Sequence, residues 1–284
     1  MKNRDQLALV TESQLTRDLR SLGVRSGTIL MFHASLRAIG WVVGGPDAVV
    51  RAARAALGAE GTLCMYVGWA DGTYDLASLP VDEQRATLEE CPPFDAQTSR
   101  AAWRELGMLT EYLRTTPGAW RSAHPEASVA AVGSRAAWLT RSHPLQYGFG
   151  PGSPFARLIE ARGEVLLLGS PRGAVTMLHY SEHLARIPNK RTVLYRSPVL
   201  VEGKRCWVDV EELDSVRGIA PWHRLDYFED LVDAYLARGH GKTGMVGAAR
   251  SYLFDAADLN AFAVRWMENN LGRSSVSEEV RVTA

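Results

Sequence analysis

The chain has 284 residues, 46% of them hydrophobic and 23% charged, with 32 basic and 32 acidic side chains. That composition supplies a full core, excludes wholesale disorder and lacks the basic excess of a nucleic-acid binder. Three scattered cysteines, Cys64, Cys91 and Cys206, exclude a disulfide framework and a cysteine-rich zinc site, and fit a reducing compartment. The start shows no signal-peptide h-region, and the longest aliphatic runs, Thr28–Phe32 and Val165–Leu168, are too short to span a bilayer. We therefore expect a cytoplasmic protein with no nucleic-acid or membrane partner; composition sets no oligomeric state.

Apolar runs alternate with helical patterns, which signals α/β layering. Gln14–Leu22 places Leu15, Leu19 and Leu22 at helical spacing, and Gly23 ends it. Thr28–His33 reads as a buried strand, Asp47–Leu57 as a helix entered through Gly44-Gly45-Pro46, and Thr62–Val67 as the next strand. Residues 71–97 carry Pro80, Pro92, Pro93 and many acids, so an irregular excursion with at most a short helix is expected. Ser99–Thr115 reads as helix, Ser128–Val132 as strand and Ala136–Ser142 as a short helix. Ser153–Ala161 has an N-cap serine followed by proline, the order a helix start prefers. Glu164–Gly169 is a buried strand and Thr176–Ile187 a helix. Beyond Pro188, Arg191–Leu200 and Lys204–Val210 flank Glu202-Gly203 as a β-hairpin, and Asp226–Ala237 and Asp258–Asn270 are amphipathic helices. The expectation is one layered α/β/α unit over 1–273 with an appended β-hairpin and helical region, then a loose polar tail over 274–284.

Four stretches carry residue types suited to chemistry. Phe32-His33-Ala34-Ser35-Leu36-Arg37 runs from a strand into a polar loop, and Gly44-Gly45-Pro46-Asp47 opens the next helix. Such a junction suits a phosphate, or is a tight connection that binds nothing. It is neither a P-loop nor GxGxxG. His179-Tyr180-Ser181-Glu182-His183 puts His179, Glu182 and His183 on one helical face. That face reads as a general base with a carboxylate partner, as the H-x-x-E-H zinc signature, or as a solvated polar face. His124, held extended before Pro125, is either catalytic or bonded to backbone. Tyr66, Trp69 and Asp71, with Asp209, Glu211, Glu212 and Asp214 around the hairpin end, suit a cationic substrate or form solvated acidic loops. No G-x-S-x-G nucleophile elbow is present.

Taken in order, these stretches resemble the aminoglycoside 3-N-acetyltransferase family. The likeness runs from about residue 12 to 270 through Leu22–Leu30, Phe32-His-Ala-Ser-Leu, Gly44-Gly-Pro-Asp, Leu57–Leu63, Tyr66-Val-Gly-Trp, Arg121–Gly133, Gly152–Leu158, Gly163–Gly169 and Thr176-Met-Leu-His-Tyr-Ser-Glu. The resemblance implies a non-GNAT antibiotic acetyltransferase fold and acetyl transfer from acetyl-CoA to the 3-amino group of a deoxystreptamine antibiotic, conferring resistance, without a metal. It places CoA on His33, Ala34, Ser35, Leu36, Arg37, Gly44, Gly45, Met108, Leu109, Thr110 and Thr176. It makes His179 the base and Glu182 its carboxylate. It gives the polycationic drug Tyr66, Trp69, Asp71, Glu126, Glu211, Glu212 and Asp214. The chain departs from the family pattern with His-Ala-Ser at 33–35 and with Ala174-Val175 before Thr176. Three other readings remain open: acetylation of another amine, a zinc hydrolase on His179, Glu182 and His183, and a catalytically dead CoA-binding module.

Overall fold

The computed structural model describes residues 9–220 and 227–272. In chain order the first third holds β1 (Leu9–Val10), α1 (Glu12–Leu22), β2 (Ile29–Ala34), α2 (Leu36–Ile39), β3 (Trp41–Val42), α3 (Gly45–Leu57), β4 (Thr62–Tyr66) and α4 (Val81–Glu90). The middle holds α5 (Trp103–Leu106), α6 (Leu109–Arg114), β5 (Trp120–Arg121), β6 (Val129–Gly133), α7 (Ala136–Thr140), α8 (Pro154–Glu160), β7 (Glu164–Leu168) and α9 (Leu178–Leu184). The last third holds β8 (Thr192–Val201), β9 (Lys204–Leu213), α10 (Tyr227–Ala237), β10 (Lys242–Val246), β11 (Ala249–Asp255) and α11 (Ala256–Leu271).

Seven strands form one sheet in the order β10-β11-β7-β2-β4-β6-β5. The continuous apolar runs of β7, β2 and β4 lie parallel at its centre, with Met31 opposite Cys64 and Val165. Strands buried on both faces need such runs. Alternation then divides the core. Leu30, Phe32, Leu63, Met65, Leu166 and Leu168 pack under α1, α3 and α6. Ile29, Met31, Cys64, Val165 and Leu167 pack under α7, α8, α9, α10 and α11. Each fully buried Leu, Ile or Met contributes about 1.5–3 kcal/mol, so the two-sided sheet is where most of the stability resides. This is the expected α/β/α layering.

β8 and β9 form a separate ten-residue hairpin pair, turning at Glu202 (φ 49°) and Gly203 (φ 75°), the two left-handed residues a tight hairpin turn needs. Its inner face meets the 69–97 excursion through a small cluster of Trp69, Phe94 and Val199.

Three expectations change. The single helix expected over Ser99–Thr115 is two short helices, because Gly107 between them sits at φ 92°, ψ 151°, a conformation closed to other residues. The excursion contains α4, a full ten residues with none buried. The segment 238–257 adds two strands, β10 and β11, that extend the sheet beyond β7. The expected 274–284 tail lies outside the described residues. No described helix is long and apolar enough to cross a membrane.

Candidate active site

The three parallel strands end on the same edge of the sheet, and a cleft of about 860 Å³ opens there. That edge is where ligands sit in open α/β sheets. One wall is the His33–Arg37 turn, where the Ser35 hydroxyl accepts from the Ala38 N–H at 3.3 Å and caps α2. Facing it is Met108-Leu109-Thr110 at the start of α6; the Thr110 hydroxyl donates to the Gly107 carbonyl at 2.8 Å. Thr176 and His179, leading into and on α9, close another side, and Tyr66, Tyr74, Asp75 and Glu126 form the acidic, aromatic end.

The His179 Nδ1 lies 2.7 Å from the Glu182 Oε2, one helical turn on. The ring sits between Phe149 and Phe228, at centroid distances of 5.0 and 4.9 Å. With Nδ1 engaged, Nε2 is the nitrogen left for a substrate. Glu182 is 3% exposed and lies behind His179 rather than in the cleft; its Oε1 accepts from the Tyr227 hydroxyl. The helix carrying both is held by Ser181 Oγ on Asn260 Oδ1 at 2.8 Å and by Lys190 Nζ on the Glu182 carbonyl at 2.6 Å.

His183 points elsewhere: its Nε2 lies 2.9 Å from Glu212 Oε1 on β9. The two histidines of the H-x-x-E-H string thus hold different carboxylates, and no group of three His, Cys, Asp or Glu among the described residues is placed to hold a metal.

Two cleft residues have unusual ionisation. Burial pushes His33 down to about 4, so its ring is neutral at pH 7. Its Nε2 is shielded from solvent without a hydrogen-bond partner. A buried polar atom left unpaired costs free energy, so this ring favours a ligand that completes it. Glu126 is pushed up to about 7, first by burial and further by the charge of Asp75, against the opposing pull of the Thr73 and Tyr74 backbone N–H groups at 2.5 and 3.1 Å. Gly72 makes room for it: a Cβ there would fall 2.7 Å from Glu126 Oε2. His124 is fully buried and does not line the cleft; its Nδ1 accepts from the Glu126 and Ala127 N–H groups at 3.1 and 2.9 Å, fixing the backbone that aims Glu126.

Of the expected site residues, His33, Ala34, Ser35, Leu36, Arg37, Met108, Leu109, Thr110, Thr176, Tyr66, Glu126 and His179 line the one cleft. Gly44 and Gly45 lie in a separate groove with Trp41, Val42 and Pro46; Leu36 lines both this groove and the cleft. Trp69 is 3% exposed and packs edge-on against Phe94, a core role. Asp71 is exposed outside the cleft, its carbonyl near Cys91 Sγ. Glu211 lies along the hairpin, its N–H donating to Gln146 Oε1 and its carbonyl accepting from the Tyr147 N–H. Glu212 is buried on His183 and the Phe149 N–H, and Asp214 is buried accepting from the Arg217 N–H at 2.9 Å. Glu211 and Glu212 hold the hairpin to the body, and Asp214 closes the turn that follows it. The sequence reading missed Tyr74 and Asp75, three and four residues past the flagged Asp71, and the aromatic bracket of Phe149 and Phe228.

Residues 31–268 match the family model for aminoglycoside 3-N-acetyltransferase. A Pseudomonas aeruginosa aminoglycoside N(3)-acetyltransferase III is 44% identical, over 93% of this chain and 96% of its own length. A Streptomyces fradiae aminoglycoside N(3)-acetyltransferase VIII is 45% identical, over 93% of each. The solved structure of AAC-IIIb in binary complex with CoASH superposes with a TM-score of 0.86 at 42% identity, over 94% of this chain and all 100% of the other. That of AAC-VIa bound to sisomicin gives 0.86 at 40% identity, over 93% and 99%. With both sequence and fold matched over nearly its whole length, this chain belongs to the aminoglycoside 3-N-acetyltransferase family.

Proposed function

We propose that the cleft acetylates the 3-amino group of an aminoglycoside directly from acetyl-CoA, with His179 as the base. The enzyme class and its donor follow from family membership, since the relatives are aminoglycoside N(3)-acetyltransferases and one holds CoASH. The observation that carries the mechanism is the His179 Nδ1 to Glu182 contact of 2.7 Å, which leaves Nε2 in the cleft.

An aminoglycoside amine is mostly protonated at neutral pH and cannot attack a thioester in that form. Glu126 and Asp75 at the acidic end of the cleft bind the drug's other ammonium groups through charge-assisted hydrogen bonds. CoA runs along the opposite wall, over the His33–Arg37 turn, Met108-Leu109-Thr110 and Thr176. His33 supports this through one atom: its ring is neutral and its Nε2 unpartnered, so that nitrogen can give or take one hydrogen bond, as the tautomer sets, with an amide of a pantetheine arm. The 3-ammonium first loses one proton to solvent, which frees its lone pair; His179 Nε2 then takes a second proton as nitrogen bonds to the thioester carbon. Glu182 fixes the ring and stabilises the imidazolium that forms. The carbon–sulfur bond then breaks, and the proton passes from His179 to the departing thiolate. No covalent enzyme intermediate is needed: Cys64 is fully buried, with its thiol pushed far up by burial, and neither Cys91 nor Cys206 lines the cleft.

The test is CoA thiol release from acetyl-CoA by the purified protein, run with a panel of aminoglycosides. Activity with deoxystreptamine drugs is expected. His179→Ala should lower turnover by roughly a hundredfold or more, as loss of general-base assistance does, with acetyl-CoA affinity nearly unchanged. Turnover by His179→Ala at the wild-type rate would remove the base assignment, and activity confined to other amines would reassign the acceptor.

A further inference from the structure

We propose that Tyr227 is a positioning residue for this reaction: its hydroxyl, bonded to Glu182, sets how strongly that carboxylate holds the His179 ring, and so the pH at which the base is ready. The inference deepens the reading of His179 as base and rests on it.

Three groups stand in line. His179 Nδ1 meets one oxygen of Glu182 at 2.7 Å, and the Tyr227 hydroxyl donates to the other. Tyr227 comes from α10, at the far side of a small cavity that also touches Gly173, Ser215, Gly218 and Glu229. The phenol is 2% exposed, and burial together with the Glu182 charge pushes its ionisation far above the ordinary tyrosine range. It is therefore a permanent donor. Its ring is stacked parallel to Trp266 at 6.1 Å and edge-on to Phe228 at 5.1 Å. Phe228 is in turn one of the two rings that bracket His179.

A carboxylate with a single partner puts its full charge on that partner. Glu182 has two, and the bond to Tyr227 disperses part of the charge that would otherwise stabilise an imidazolium. Without the hydroxyl, protonated His179 is held more strongly, and the base becomes available only at higher pH. Other charged groups face the same carboxylate. Lys190 reaches its backbone carbonyl, Glu268 on α11 lies near Lys190, and Glu229 lines the small cavity. None of these changes in the variants below, so the difference between proteins reports Tyr227.

The experiment is kcat against pH at saturating acetyl-CoA and aminoglycoside. Tyr227→Phe keeps the stacked ring and removes only the hydroxyl. Its acid limb should move to higher pH by roughly half to one unit, a fraction of the roughly one to two units that a hydrogen bond to a charged group is worth, because the effect reaches His179 through Glu182. The KM for acetyl-CoA should stay at its wild-type value. Tyr227→3-fluorotyrosine, a stronger donor of nearly the same shape, should move the limb the other way, as should Glu182→Gln. Ionisation of the drug is common to every profile and cancels in the comparison. An unmoved limb with lowered kcat or Tm in Tyr227→Phe, or a shift to lower pH, overturns the proposal and leaves Tyr227 a packing residue. Should Tyr227→Phe fail to fold, the fluorotyrosine protein decides alone, and an unmoved limb there overturns it. If His179→Ala turns over at the wild-type rate, the base reading falls and this inference with it. If that variant is dead while the Tyr227→Phe limb stays put, only the inference falls.

Discussion

Glu126 is a carboxyl that holds its proton to about pH 7, because the cleft wall strips it of water and Asp75 adds a like charge. A bound ammonium group reverses that balance: pairing with a cation favours the charged form. Drug binding near pH 7 should therefore expel a proton from Glu126, and affinity should strengthen as pH rises through that value. Calorimetry in buffers of different ionisation enthalpy reads the proton directly. Glu126→Gln should release fewer protons and bind on the order of tenfold more weakly, since a hydrogen bond to a charged group is worth about 1.5–3 kcal/mol. Asp71→Asn is the control, because Asp71 lies outside the cleft and should leave both readings unchanged. Equal proton counts for wild type and Glu126→Gln would remove this role. The contrast also marks what a sequence conveys about a site. His179 and Glu182 are legible because helical spacing alone joins them. Glu212 and Asp214 look like substrate acids in a charge count, yet they are buried on His183 and on the Arg217 N–H. An acid's partner comes from a distant element, and only the assembled fold supplies it.

At the scale of elements, the turn between α5 and α6 decides the shape of the cleft wall proposed above to hold CoA. Gly107 holds φ 92°, ψ 151°, and its carbonyl receives the Thr110 hydroxyl at 2.8 Å. No non-glycine residue adopts that conformation without strain. Gly107→Ala should cost about 1–3 kcal/mol of stability and displace Met108-Leu109-Thr110. The KM for acetyl-CoA should rise while that for the drug stays near wild type; stability lowered with both constants unchanged would detach this turn from CoA binding. Gly45 is a weaker lever, because it faces a separate groove and a Cβ there meets nothing within 4 Å. The same turn explains why one helix was expected over 99–115. Its apolar spacing is helical on both sides, and a single glycine inside a helical pattern is ordinarily tolerated. β2, β4 and β7 were legible because burial on both faces demands an unbroken apolar run. β10 was not: Lys242-Thr-Gly-Met-Val pairs with the sheet on one side only, and its pattern of exposed residues carries no apolar period.

Across the whole molecule, the balance of buried ionisable groups sets the acid limit of the fold. The rings of His124 and His143 meet at a tilt, 4.8 Å apart, beneath the loop that carries Phe149, and burial lowers them to about 4 and about 3. Their hydrogen bonds suit neutral rings: His124 Nδ1 accepts two backbone N–H groups, while His143 lies between Ser122 Oγ at 2.9 Å and the Gly148 carbonyl at 2.6 Å. His33 adds a third ring lowered to about 4. In the unfolded chain all three take up protons near pH 6.5. Glu126 works the other way, releasing its proton on unfolding between about 4.5 and 7. Below about pH 6.5 the histidines outweigh that single carboxyl, so the unfolded state binds more protons and stability falls with pH. The stabilisation is complete above the unfolded histidine value and is lost as pH drops towards the folded values near 4. Thermal melts should show Tm falling steadily from pH 6.5 to 4.5. His143→Gln keeps an amide donor for Gly148 and removes one titrating ring, so its Tm should depend less steeply on pH than that of wild type, whatever its absolute value. A wild-type Tm that is flat across this interval would mean the buried rings are already charged in the fold, and with them the seating of Phe149 against His179 would need a different account.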